Sequence, residues 1–201
     1  MMVPILILAA GSARRMQGRD KLLEDVDGTA LLRRTVQNAL AVTQAPVFVT
    51  LPPCPHPRAG AIADLNARIV EVPDAASGMN ASIAAGLGAL PATAHAVMIV
   101  LADMPDLTRA DLRRVLDAVD LNTDSKIWRA TTATGEPGHP IVFRSDIWPH
   151  LRALRGDTGA RDIVRQLRSQ TVWVPLPGNH ARTDLDTPEA WAAWRANRRF
   201  T

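Results

Sequence analysis

The segment from Ile5 to Lys21 constrains the fold more than any other part of the sequence. An apolar run of strand length, Ile5 to Leu8, is followed by small residues at 9–13 and then by arginines and Lys21. Backbone N–H groups can approach an anion closely only where side chains are small, and the cations that follow supply the opposite charge. The pattern indicates a buried strand that delivers a phosphate-binding loop. A strand followed by a solvated basic loop is the alternative.

Two common phosphate loops are excluded by the spacing of the glycines. The dinucleotide fingerprint needs a second glycine two residues after the first, and Ala13 stands there after Gly11. The other loop needs a serine or threonine directly after its lysine, and Leu22 follows Lys21. A simple dinucleotide-binding oxidoreductase is therefore a weak alternative.

Composition predicts one soluble domain over residues 1–201. The 201 residues are 47% hydrophobic and 21% charged, which is ordinary for a globular protein. The arginines are spread along the chain without a basic stripe, so we expect no nucleic-acid partner. Only Lys21 and Lys126 among the 23 basic residues are lysines. A lysine kept at position 21 therefore suggests a need for a compact ammonium group, since guanidinium and ammonium are not interchangeable at a phosphate.

The single cysteine and the apolar N-terminus bear on the cellular compartment. Cys54 cannot form an internal disulfide, and Cys54 with His56 falls far short of a zinc ligand set. The first apolar run has no basic residue before it and is too short to span a membrane. We expect a cytoplasmic protein without a membrane partner.

Apolar runs and helical periodicity alternate along the chain, which predicts an α/β fold with a mostly parallel sheet. The segments 127–132 and 140–143 are joined by a turn too short for a crossover helix, so they should pair antiparallel and give a mixed sheet. Asn80 or Ser77 is expected to cap the helix that ends near Pro91, and two short helices should flank 156–159. The other predicted strands are 3–8, 47–51, 68–72, 96–102 and 171–174. The other predicted helices are 30–41, 58–66, 109–119 and one that begins at Pro188. Thr108 is expected to cap the helix 109–119, and Thr187 the helix from Pro188.

Acidic residues follow two of the predicted strands. Asp103 follows the strand 96–102, and Asp184 and Asp186 follow the strand 171–174. In an open α/β sheet the carboxyl ends of the strands form the ligand-binding edge, so these acids should share one rim with the Gly11 loop. Carboxylates beside phosphate-binding cations suit Mg²⁺, which is commonly held by one or two carboxylates and substrate phosphates. Helix capping is the alternative role for Asp103 and for Asp186.

Six segments, in order along the chain, resemble the MobA-like nucleotidyltransferases, and within them the molybdenum cofactor cytidylyltransferases. The segments are Leu8-Ala-Ala-Gly11 with Arg15-Met16 and Lys21-Leu-Leu, Gly78-Met79-x-x-Ser82, Leu101-Ala-Asp103-Met-Pro105, Gly138-His139-Pro140, Gly156-Asp-x-Gly159-Ala-Arg161 and Asp184-Leu-Asp-Thr-Pro188.

The resemblance implies a Rossmann-like three-layer α/β/α fold with a mostly parallel mixed sheet, of the nucleotide-diphospho-sugar transferase type. It also implies transfer of a nucleoside monophosphate from an NTP to a molybdopterin-type phosphate acceptor, with release of pyrophosphate and contact with a molybdoenzyme or its chaperone. The implied catalytic residues are Arg15, Lys21 and Asp103. The implied nucleotide-binding residues are these three together with Leu8, Ala9, Ala10, Gly11, Gly78, Met79 and Ser82. The implied acceptor-binding residues are Gly138, His139 and Pro140. The implied magnesium ligands are Asp103 and Asp186.

The loop departs from the family pattern in ways that leave the base and the activity open. Ala13 stands where serine is usual, and Gln17 stands where glycine is usual. The spacing before Lys21 resembles the guanylyl branch, whereas the residues at 8–11, 78–82 and 138–140 resemble the cytidylyl branch. We favour CTP because pocket-lining positions decide base choice more than loop length does. GTP, another phosphorylated acceptor, and a non-catalytic nucleotide-binding assembly factor are the alternatives.

Overall fold

Seven strands form one sheet in the computed structural model, which describes residues 2–154 and 161–198. The strand order is β5-β4-β1-β6-β8-β7-β9, and β2 pairs with β3 in a separate hairpin. The strands are β1 (Ile5–Leu8), β2 (Asp25–Val26), β3 (Thr29–Ala30), β4 (Val47–Leu51), β5 (Arg68–Glu71), β6 (Ala96–Leu101), β7 (Ile127–Thr131), β8 (Pro137–Arg144) and β9 (Thr171–Pro175).

Helices connect most of these strands and cover the sheet. None of them, within 2–154 and 161–198, is long and apolar enough to cross a membrane. The helices are α1 (Leu31–Leu40), α2 (Pro57–Ala61), α3 (Met79–Ala89), α4 (Arg109–Asp117), α5 (Trp148–Arg152), α6 (Arg161–Gln166) and α7 (Pro188–Arg198).

Strand direction brings distant parts of the chain to one rim of the sheet. Strand β1 is parallel to β4 and β6, and β7 is parallel to β9. Strand β8 lies between β6 and β7 and is antiparallel to both. The amino end of β8 therefore lies at the same rim as the carboxyl ends of β1, β6, β7 and β9.

Alternation of side chains along β1 separates two apolar layers. Ile5 and Ile7 belong to the cluster that includes Leu32 of α1 and Leu112 of α4. Leu6 belongs to the opposite cluster, which includes residues of α3, α5 and α6. Because both faces of β1 are fully buried, the strand reads as a continuous apolar run in the sequence. The predicted three-layer α/β/α fold with a mostly parallel mixed sheet is confirmed.

The predicted bounds of the long helices and strands agree closely with the structure, whereas the predictions at local turns do not. The strand 47–51 and the cap Thr108 are as predicted, and Thr108 forms a reciprocal capping box with Asp111. The predicted cap Thr187 is also confirmed, since its hydroxyl accepts from the backbone N–H of Ala190 at 3.2 Å. The segment 156–159, around which two helices were predicted, lies outside the described residues.

Two local predictions are wrong, and one local element was not predicted. The helix predicted over 58–66 is limited to α2, and the hairpin of β2 and β3 was not predicted. Asp27 and Gly28 join that hairpin with φ values of 56° and 82°, as the type I′ two-residue hairpin turn requires. Neither Asn80 nor Ser77 caps α3: Gly78 occupies the cap position without a side chain, and the Ser77 hydroxyl bonds to Asp74 instead.

We predict that Gly86→Ala destabilises the protein and that Gly88→Ala does not. A Cβ at Gly86 would lie 2.4 Å from Cδ2 of the buried Leu6, whereas a Cβ at Gly88 on the same helix meets no atom within 4 Å. Overpacking costs about 1–3 kcal/mol, and alanine favours an exposed helical position by up to about 1 kcal/mol. Urea unfolding of both variants measures the difference, and equal stabilities would contradict the packing of α3 on β1.

Candidate active site

The loop after β1 begins in a fixed backbone position. The N–H of Ala9 donates to both the carbonyl and the hydroxyl oxygen of Thr50, at 3.1 and 3.3 Å. The fully buried Met16 anchors the middle of the loop to the core. Gln17 has a left-handed φ of 53°, a conformation that glycine would take without a steric penalty. The loop is thus held at both its start and its middle by the core.

Lys21 ends this loop and joins two distant carboxylates. Its Nζ donates to Oδ2 of Asp103 at 2.6 Å and to Oδ1 of Asp186 at 2.5 Å. Arg15 forms a second ion pair with the other oxygen of Asp186. The structure therefore brings together residues that are 82 and 165 positions away from Lys21 in the sequence.

The charge state of Lys21 follows from its surroundings. Its side chain is only 13% exposed, and this burial alone would lower the pKa. The two carboxylates outweigh the loss of hydration, so the pKa of Lys21 lies above its ordinary value. The ammonium group is therefore charged at every physiological pH.

Asp103 reaches this centre because β6 is paired with β1 to its end. The N–H of Ala102 donates to the carbonyl of Leu8 at 3.2 Å, which places Asp103 beside the start of the loop. The alternative role, capping of the following helix, does not apply because Thr108 and Asp111 cap α4. The carboxylate of Asp103 is thus available at the rim.

The segment that carries Asp186 is docked on the start of β8. The N–H of His139 donates to the carbonyl of Ala181 at 2.8 Å. Gly138 allows this approach, since a Cβ there would lie 1.9 Å from the same carbonyl oxygen. A further contact joins His180 Nδ1 to Asp111 at 2.9 Å. Asp184, the other acidic residue of this segment, is exposed.

The start of α3 carries three of the predicted nucleotide-binding residues, Gly78, Met79 and Ser82. Gly78 has a φ of 92°, Met79 is 53% exposed and Ser82 is buried. Among the described residues these three make no hydrogen bond to Lys21, Asp103 or Asp186. Their predicted contact with the nucleotide stays a prediction.

His139 places an imidazole near Asp103. The residue is half-buried, but its Nδ1 is fully enclosed and has no hydrogen-bond partner among the described residues. Burial, with the positive charge of Arg129, lowers the pKa of His139 to about 4, although Asp103 and the carbonyl of Ile99 oppose the shift. The imidazole is therefore neutral above about pH 4. The peptide bond from His139 to Pro140 is cis.

A small cleft opens above the lysine centre. Its volume is about 210 Å³. Whole small-molecule pockets span about 300–1,000 Å³, so this cleft suits charged phosphate groups better than an entire nucleotide. Its lining residues are Ser12, Ala13, Arg14, Arg15, Lys21 and Asp186.

Comparison with known proteins identifies the family. The MobA-like NTP transferase domain matches residues 5–172, which include β1, the loop, Lys21 and Asp103. The chain belongs to the MobA-like NTP transferase family. The family named from six short segments is thereby confirmed, and membership assigns the chain to the nucleotidyltransferases.

Individual relatives agree with the family in sequence or fold. The purine catabolism protein PucB of Bacillus subtilis is 28% identical over 196 residues, covering 92% of each chain. The structure of Rv0371c from Mycobacterium tuberculosis H37Rv is 24% identical, has a TM-score of 0.80 and covers 96% of this chain and 97% of that one. A nucleotidyl transferase from Methanothermobacter thermautotroptrophicus has a TM-score of 0.79 at 18% identity, with coverages of 100% and 99%.

The donor set of this MobA-like site suits a divalent ion that the protein shares with substrate better than an ion held by protein ligands alone. Two carboxylates, Asp103 and Asp186, converge on one cation, the ammonium of Lys21. The described residues contain no group of three or more His, Cys, Asp or Glu side chains arranged to hold a metal ion. A hard cation that completes its shell with water and substrate phosphates needs only one or two protein carboxylates.

Sequence reasoning missed Arg58, which lies behind the loop after β1. It was placed only within a weak helix, because an arginine after Pro57 carries no recognisable motif. Its side chain is almost fully buried and contacts both ends of the loop. A buried arginine is rare unless it is paired, but burial could not be read from this position.

We predict that His139 makes the protein less stable at acidic pH. Between about pH 6.5 and 4 the unfolded chain binds a proton that the folded imidazole does not, so the free energy of unfolding falls by up to about 1.4 kcal/mol for each pH unit. Urea unfolding at several pH values should show a shallower fall for His139→Gln. The matched control is His95→Gln, which makes the same substitution at an exposed histidine. Parallel curves for wild type and His139→Gln would contradict this assignment.

Proposed function

We propose that the protein is a magnesium-dependent nucleotidyltransferase that transfers CMP from CTP to the phosphate of molybdopterin and releases pyrophosphate. The observation that carries the proposal is the placement of Lys21 between Asp103 and Asp186, at the end of a loop of small residues. Delivery of the product to a molybdoenzyme or its chaperone belongs to the same proposal.

The basic side chains have the task of binding the triphosphate. Lys21 and Arg15 border the cleft and are paired with carboxylates. When the triphosphate enters, Lys21 exchanges a carboxylate oxygen for a phosphate oxygen and keeps its charge compensated. The small residues Ala9, Ala10 and Gly11, with Leu8 before them, leave the backbone accessible to the nucleotide.

The carboxylates have the complementary task. Asp103 and Asp186 would hold Mg²⁺, which supplies charge neutralisation to the phosphates when it is bound. The structure of Rv0371c in complex with manganese comes from a chain of the same fold, with a TM-score of 0.77 at 23% identity. It favours a divalent cation in this fold.

The transfer step needs positioning more than a covalent nucleophile. An oxygen of the acceptor phosphate attacks the α-phosphorus of CTP, a new P–O bond forms, and the bond from the α-phosphorus to the bridging oxygen breaks. Pyrophosphate leaves with the bonding electrons. The residues at 138–140 lie at the same rim as Asp103, where they would line the acceptor side with a neutral imidazole.

GTP on the same acceptor is the second candidate. The residues Gly18-Arg19-Asp20-Lys21 have the spacing of the guanylyl branch. A thermal-shift comparison of CTP, GTP, ATP and UTP with Mg²⁺ distinguishes the bases, because a ligand that binds only the folded state raises Tm by mass action.

We predict that Asp103→Asn and Asp186→Asn each reduce pyrophosphate release at least about 10²-fold, the cost of removing one preorganised charge-stabilising group. The assay contains molybdopterin, Mg²⁺ and each NTP in turn. Asp184→Asn is the matched control, because Asp184 is exposed and two residues from Asp186. It should remain close to wild type.

Equal rates for wild type and Asp103→Asn would remove Asp103 from the reaction. Tight binding of CTP or GTP without turnover on any phosphorylated acceptor would favour the non-catalytic assembly factor. A loss in Asp184→Asn but not in Asp186→Asn would assign the second carboxylate to Asp184.

A further inference from the structure

Arg58 lies in the first turn of α2, directly behind the phosphate-binding loop. It is 2% exposed, which is exceptional for an arginine. His56 and Pro57 start the helix, with Nδ1 of His56 accepting from the N–H of Arg58 at 3.2 Å. The side chain is therefore directed toward the loop by a capped helical turn.

The guanidinium group contacts both ends of the loop. One terminal nitrogen donates to the carbonyls of Ala9 and Gly11 at 2.5 and 2.8 Å, where the loop leaves β1. Nε and the other terminal nitrogen donate to the two oxygens of Asp20 at 2.7 and 2.9 Å, where the loop ends. One planar group thus fixes the distance between the start and the end of the loop.

Asp20 transmits this contact to Lys21. Its Oδ1 also accepts from the N–H of Leu22 at 3.0 Å, which caps the short turn Lys21–Leu23. Lys21 is the first residue of this turn. It therefore directly follows Asp20, whose carboxylate is held both by Arg58 and by the turn. A shift of Asp20 would move the lysine away from Asp103.

A lysine could not replace Arg58 in this arrangement. Arginine presents several N–H donors in a rigid plane that matches both oxygens of a carboxylate, whereas an ammonium group is a point charge. The carbonyls of Ala9 and Gly11, which accept from the remaining terminal nitrogen of the guanidinium group, would lose their donor as well. The buried carbonyl of Ala9 would be left without this donor, which is costly, so the loop would relax to reach water.

We propose that Arg58 is a positioning residue for the triphosphate, acting through Asp20 and through the carbonyls of Ala9 and Gly11 to hold the loop in its binding geometry. The affinity readout of this proposal rests on the proposed nucleotide-binding function. If Arg58 only stabilised the fold, its replacement would lower Tm and leave the affinity of the folded protein for nucleotide unchanged.

The first experiment measures the dissociation constants of CTP and GTP, each with Mg²⁺, for the folded variants Arg58→Lys and Asp20→Asn. We expect each variant to bind at least about tenfold more weakly, since small displacements of binding groups carry large costs. The double variant should bind no more than about threefold more weakly than Arg58→Lys, because both changes break one contact.

Arg33→Lys is the matched control. Arg33 forms the same kind of fork with Asp64, at 2.6 and 2.7 Å, and donates to the carbonyl of Ala61, but it does not touch the loop. It should leave the dissociation constant unchanged. Wild-type affinity in folded Arg58→Lys and Asp20→Asn would overturn the proposal.

A second readout does not depend on nucleotide binding. Arg14 and Arg19 are exposed tryptic sites inside the loop. Under native conditions Arg58→Lys and Asp20→Asn should raise the initial cleavage rate at these two sites several-fold, and Arg33→Lys should not. If wild type binds neither CTP nor GTP, the proposed function fails and this rate alone decides the role of Arg58: unchanged cleavage overturns it.

Discussion

The compensation of the Lys21 ammonium by two carboxylates is the interaction on which the candidate site depends. Asp103 and Asp186 come from segments far apart in sequence, and each would leave an uncompensated charge at the rim if it stood alone. Partly buried charges persist only when they are paired, so the three side chains fix one another. The result is a compact set of opposite charges at the rim of the sheet.

Strand direction makes this meeting possible. Because β8 is inserted antiparallel between β6 and β7, its amino end and the carboxyl end of β6 lie at one rim. Gly138 and His139 therefore lie at the rim that bears Asp103, and the close approach of Ala181 to Gly138 docks the segment that bears Asp186. The two halves of the site lie on opposite sides of β8. One half is built on the loop after β1, and the other is built on the segment after β9.

Patterns with a local cause were predictable, and contacts between distant residues were not. The apolar run of β1 and the cap Thr108 follow from burial on both faces and from the hydrogen-bonding capacity of a single side chain. The rim position of Asp103 followed from the parallel order of the strands. The buried fork of Arg58 spans 38 to 49 positions of sequence, and nothing local marks it. The predicted capping of α3 by Asn80 or Ser77 was wrong because Gly78 occupies the N-cap position.

A crystal structure with Mg²⁺ and a CTP analogue whose α- and β-phosphorus atoms are joined by a methylene group tests the account most directly, because this bond cannot be cleaved. The account requires a phosphate oxygen within hydrogen-bond distance of Lys21 Nζ and a metal ion shared by the phosphates, Asp103 and Asp186. Phosphates bound away from the loop after β1, with Lys21 still held by both carboxylates, would contradict it.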